Sequence, residues 1–148
     1  MSVDESEYKS VRNELVAVPC VFEKSILALK TQCPKASKKN IAEREVVMCD
    51  LASSAERCDA WLTILRAKSQ FSLHISERAP TVLPHAKEMK VQAGGMLGLC
   101  QLLGVEMSET YPVPNVFEVL EISGERFSDI ESLPFAEIVR EVAHFRAR

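Results

Sequence analysis

At 148 residues, with 47% hydrophobic and 26% charged positions, the chain has the balance of a single folded domain that buries roughly two-thirds of its unfolded surface. Five glycines and 6% aromatics are few for a sandwich or barrel, whose turns and pleated faces draw on Gly, Val, Thr and Tyr. A net charge of −3, with Lys35, Lys38 and Lys39 as the one basic cluster, speaks against nucleic acid as a partner, because phosphate binding gathers several cations on one surface.

Residues 5–31 read as a first helix. Val11, Leu15, Val18, Phe22, Ile26 and Leu29 recur at steps of three and four, the spacing of one helical stripe. Pro19 removes a backbone donor inside it and predicts a kink, or two helices meeting. Cys33 and Pro34 end the segment, and residues 34–40 read as a polar loop.

No Gly or Pro interrupts residues 41–79, so a second helix of about 35 residues, roughly 50 Å long, is expected there. Asn40 serves as its N-cap, with Glu43 three residues on in an approximate capping box. Met48, Leu51, Ala55, Cys58, Leu62 and Leu65 alternate steps of three and four, a heptad seam. Trp61, Ile64, Phe71 and Ile75 form another stripe on the later half. A helix apolar on two faces needs cover from two sides. Trp61, Ile64, Phe71, Leu62 and Leu65 are therefore the candidate protein-interaction residues, since exposed aromatics make interface anchors.

Pro80 and Pro84 bracket a turn. The third helix runs over residues 85–103, closed by Gly104 as its C′ residue. Its apolar later part marks a central buried helix. Gly94, Gly95 and Gly98 each weaken it by about 1 kcal/mol against alanine, which predicts a neighbouring helix, the first or second, crossing close to the bare backbone. Residues 111–114 read as an extended linker, since each proline restricts its predecessor. Residues 116–122 fit a short helix capped by Asn115 and ended by Gly124, or a strand; helix is preferred because no partner strand is evident. Ser132 caps a last helix with Pro134 in its first turn and an apolar stripe of Phe135, Ile138, Val139, Val142 and Phe145. Arg146 and Arg148 suit its C-terminal end.

The expected fold is thus all-α, a four- or five-helix bundle over residues 1–148 in one domain, with a long antiparallel helical hairpin formed by the first two helices. Glu118, Glu121, Glu125, Asp129 and Glu131 read as a solvated acidic face. The cysteines at 20, 33, 49, 58 and 100 form no CxxC pair and read as small buried hydrophobes in a reducing compartment, with neither a disulfide framework nor zinc. The acidic N-terminus does not resemble a signal peptide. The longest uncharged stretch, 91–105, is too short to span a membrane. An intracellular setting, cytoplasmic or nuclear, follows.

His74, His85 and His144 stand in no metal-ligand pattern, and neither a GxSxG elbow nor a GxxxxGK loop is present. No catalytic, cofactor-binding or metal-binding residue is assigned. The expected function is a non-enzymatic protein-interaction module, an adaptor or a subunit of a homo- or hetero-oligomer. Two alternatives remain, a small helical enzyme with an unrecognised pocket and a degenerate phosphorelay-type regulatory domain. The latter rests on Glu88, Lys90, Ala93, Gly94, Gly95, Leu97, Gly98 and Leu99, a stretch that faintly resembles the histidine phosphotransfer motif. With Gly98 matched to the late glycine of that motif, the phosphoacceptor position falls on Glu88, and His85 stands one turn too early.

Overall fold

The computed structural model describes residues 18–75, 83–107, 109–110 and 112–146. The expected helices over residues 5–31 and 41–79 therefore lie partly outside the described residues, as does Arg148. In chain order the elements are α1 (Glu23–Leu27), β1 (Ala36–Ile41), β2 (Arg44–Cys49) and α2 (Ala52–Ser69). Then come α3 (His85–Met89), a π turn (Lys90–Gly94), α4 (Gly95–Leu103), α5 (Val116–Arg126), a 3₁₀ turn (Ile130–Ser132) and α6 (Phe135–His144).

The all-α reading is overturned by the antiparallel pair β1 and β2. Among the described residues no long antiparallel hairpin of the first two helices forms either: α1 has 5 residues and α2 has 18. The heptad seam that suggested one long helix is split. Met48 belongs to β2, and Leu51 is still extended at φ −136° and ψ 107°. Only Ala55, Cys58, Leu62 and Leu65 share α2. Asn40, expected as a helix cap, pairs with Glu45 in the sheet.

Two physical effects favour the hairpin over the helix. Ile41, Val46 and Val47 are β-branched and stiff at χ1, which suits a pleated surface. Alternation then sends Val46 into a small cluster with Ile41 and Met48, while Val47 enters the main core. In addition, β2 finds backbone partners on both sides. Beyond β1, the Cys20 amide donates to the Val47 carbonyl at 3.0 Å and the Cys49 amide donates to the Val18 carbonyl at 2.8 Å. Pro19 thus sits in a bridge with Met48, not in a helical kink. The hairpin base is closed by the Ser37 hydroxyl, which donates to both Asp50 carboxylate oxygens at 2.8 and 3.0 Å.

The hairpin loop is Ala42 and Glu43, with φ of 49° and 67°. Such a two-residue turn requires left-handed backbone at both positions, which Asn and Gly adopt with least strain. Replacing Ala42 by Asn together with Glu43 by Gly should therefore stabilise the protein by about 1–2 kcal/mol, read as a higher urea midpoint. An unchanged or lower midpoint would mean that the turn is not strained.

The third helix starts and ends where expected, and Gly104 closes it in the left-handed region at φ 68°. It has an unforeseen feature, the π turn, across which the backbone stays helical. Around α4 the core assembles: Met96, Leu99 and Cys100 from α4, Trp61, Leu62 and Leu65 from α2, and Ile138 and Val142 from α6 are all at most 1% exposed. Trp61 stacks on Phe135 with ring centroids 6.0 Å apart.

The close crossing predicted from the glycines exists, but mostly with another partner. A Cβ on Gly94 would lie 2.9 Å from the Glu141 carbonyl oxygen, from Val142 Cα and from Phe145 Cβ. One on Gly98 would lie 3.0 Å from Ile138 Cα. Both contacts are with the last helix and its end; only Gly95 faces the second helix, through Leu65. Residues 116–122 are helical, as preferred, and Asn115 Oδ1 accepts from the Glu118 amide at 3.1 Å. Helix α5 continues past Gly124 to Arg126. There the guanidinium donates to the Leu103 carbonyl at 2.6 Å, capping the end of α4. Ser132 belongs to the 3₁₀ turn, so Pro134 and not Ser132 precedes α6.

Candidate functional site

Three places carry chemistry or exposure that the core does not require. The first is a polar cluster at the π turn. Arg66, in the last turn of α2, donates from Nε to Glu88 Oε1 at 2.9 Å and from its terminal nitrogen to Glu88 Oε2 at 2.8 Å. The Gln92 amide donates to Glu88 Oε2 at 2.6 Å and to the Val21 carbonyl at 3.1 Å. Gln92 Oε1 in turn accepts from the Ser25 amide at 3.1 Å. Ser25 Oγ lies 2.8 Å from Thr31 Oγ1. The hydrogen bonds to Glu88 hold the Arg66 guanidinium above its ordinary pKa.

This chain of contacts ties α2, α3, the π turn and α1 together. A buried carboxylate is tolerated when its oxygens are filled by charge-assisted donors, and Glu88, 5% exposed, meets that condition. An open cleft of about 560 Å³ runs past Arg66, Glu88 and Gln92. The two Glu88 oxygens accept three hydrogen bonds from within the fold. The residue at the phosphoacceptor position of the resemblance is thus buried and committed to Arg66 and Gln92. His85 is exposed at the start of α3.

The second place is a small apolar cavity of about 20 Å³, lined in part by Cys20, Cys33, Cys49 and Cys58. Sequence reasoning did not foresee that four of the five thiols converge. They come from the strand bridge, the loop after α1, the end of β2 and the first half of α2, at spacings that match no local motif. Burial pushes the Cys20 thiol up to about 11 and the Cys58 thiol up to about 12. Thiols held protonated in this way are poor nucleophiles at neutral pH. At the mouth, Lys35 Nζ stands 5.0 Å from the centre of the Phe117 ring and the Arg57 guanidinium 5.3 Å from it. Arg57 also pairs with Glu121. All five thiols are free.

The third place is Phe71. Of the five residues singled out from the sequence, Trp61, Leu62 and Leu65 are 0% exposed and line the chain's own core. Ile64 is half-buried against that core. Phe71 is 92% exposed. It lies in the turn that closes α2, where the Ile75 amide donates to the Gln70 carbonyl at 3.0 Å and His74 takes a left-handed φ of 56°. That 6→1 bond over a left-handed residue is the Schellman pattern. It turns Leu73 inward to 4% exposure while Phe71 stays outside. The aromatic ring is thus presented by a hydrogen-bonded turn.

Among the described residues, no group of three or more His, Cys, Asp or Glu side chains is arranged to hold a metal ion, and no helix is long and apolar enough to cross a membrane. Comparison with protein-family models, with curated proteins and with solved structures finds no match to this chain.

Proposed function

We propose that the chain is a non-enzymatic protein-interaction module, an adaptor or a subunit of a larger assembly, whose anchor is Phe71. The observation that carries this reading is the contrast along α2 and its closing turn. Trp61, Leu62 and Leu65 are spent on the chain's own core, whereas a large aromatic two residues beyond the helix is 92% exposed. Interfaces draw their affinity from such anchors, set in a partner's apolar pocket and ringed by polar residues. Ser72 and His74 flank Phe71 and are exposed, which provides the polar rim. The partner is a protein, either a second copy or another chain, and not nucleic acid or a membrane. Free thiols throughout favour an intracellular setting, cytoplasmic or nuclear.

Burying a phenylalanine side chain contributes about 1.5–3 kcal/mol. Phe71→Ser should therefore weaken association roughly 10- to 100-fold and leave the melting temperature unchanged. Light scattering over a concentration series reads self-association, and a photocrosslinking residue at position 71 reads a foreign partner. Association that survives Phe71→Ser, or a variant that loses its fold, would contradict this reading.

A further inference from the structure

We propose that Phe71 of one copy docks into the cleft between the end of α4 and the start of α5 of a second copy, so that the chain assembles head to tail. This rests on the reading of Phe71 as the anchor and names its receptor. The cleft, of about 160 Å³, is lined by Val105, Met107, Val113 and Pro114, with Glu106 and Glu118 beside them. A cavity of about 150 Å³ holds a benzene ring, so the phenyl group of Phe71 fits. Apolar walls, two carboxylates and a lining without Lys or Arg suit an aromatic residue in basic surroundings.

Phe71 has such surroundings. Lys68, exposed, stands just before it in the last turn of α2, and Lys87 donates from Nζ to the His74 carbonyl at 3.5 Å in the closing turn. Residues 66–75 contain no Asp or Glu. Complementary charge of this kind selects the partner and fixes its register. Two other open clefts match less well, because Lys24 with Arg66 lines one, and Lys24, Arg44 and His85 line the other. Anchor and cleft also lie at opposite ends of the molecule. The Arg57–Glu121 pair fixes the first half of α2 beside α5, and Phe71 lies beyond the far end of α2, roughly 20 Å on at 1.5 Å per residue. The Arg66–Glu88 pair likewise sets the end of α2 beside α3, whereas the cleft lies past the far end of α4. One molecule therefore cannot fill its own cleft. An interface between two different patches is heterologous, and it builds rings or open chains.

The test is sedimentation equilibrium of the full chain and two variants over a concentration series. The wild-type mass should rise with concentration. Phe71→Ser should associate at least roughly 10-fold more weakly, and so should the double variant Glu106→Lys with Met107→Lys. Both cleft residues are exposed, so its melting temperature should stay that of the wild type. Mixed in equal amounts, the two variants have one intact anchor and one intact cleft between them and should form a one-to-one dimer. A wild-type chain that is monomeric at every concentration would overturn the proposal, as would a cleft variant that associates like the wild type. A mixture that stays monomeric where the wild type associates would also overturn it, and weakened association of Phe71→Ser would then uphold the anchor with a different receptor. Undiminished association of Phe71→Ser would sink the anchor reading as well.

Discussion

Replacing Gly94 by alanine should destabilise the protein by about 1–3 kcal/mol or more, even though alanine is the better helix former. A Cβ at this position would meet three atoms at 2.9 Å, two of them backbone, on α6 and at its end. Backbone cannot rotate away as a side chain can, so the helix crossing itself must open. Opening it separates α4 from Ile138 and Val142, both 0% exposed. Loss of that packing outweighs the gain of about 1 kcal/mol in helix propensity. Gly124 provides the contrast within the same protein. It lies inside α5, is exposed, and a Cβ there would meet nothing within 4 Å. Gly124→Ala should raise stability by up to about 1 kcal/mol. Thermal unfolding of the two variants checks both signs. A Gly94→Ala protein that melts higher than the wild type would show that α4 and α6 do not cross closely.

The second large effect is expected at Arg66. Removing its guanidinium leaves the Glu88 carboxylate, 5% exposed, with Gln92 as its remaining side-chain donor. Breaking one partner of a buried pair typically costs about 3–5 kcal/mol, most of it for the stranded charge. Arg66 is itself 22% exposed at its side chain, and water reaching that side brings the expected loss for Arg66→Met to about 3 kcal/mol. The double variant Arg66→Met with Glu88→Gln separates charge from shape. A neutral amide at position 88 can still hydrogen-bond to Gln92, so the double variant should recover much of the lost stability. If the double variant is no more stable than Arg66→Met alone, the cost lies in packing of the arginine stem and not in the pair.

What the sequence revealed and what it hid follow from the range of the interactions involved. The third helix, its buried face, its Gly104 stop and the Asn115 cap were legible because they depend on residues three to five positions apart. The glycines announced a close crossing but not its partner, since nothing local in Gly94 or Gly98 points to Ile138 or Val142 some forty residues on. The hairpin was hidden for two reasons. Its turn uses Ala42 and Glu43 in place of Asn and Gly, and Met48 and Leu51 fall by coincidence on the heptad that α2 continues. The strand wins through pairing with Val18 and Cys20, a contact across nearly thirty residues. The thiol cavity was illegible for the same reason, because four cysteines at unrelated spacings meet only once the hairpin has folded onto α2. The Arg66–Glu88 pair likewise bridges two helices. In the later stripe the pattern correctly grouped apolar residues. It carried no sign that α2 ends at Ser69 and that Phe71 therefore lies beyond the last helical turn.

This chain closes its own core over the α2 stripe and leaves Phe71 outside. The single tryptophan reports on it directly, because Trp61 is 0% exposed and stacked on Phe135. Its fluorescence should be blue-shifted and resistant to acrylamide, and dilution to the monomer should not change either property. Emission that shifts to the red and becomes quenchable on dilution would show that a partner, not this chain, covers Trp61.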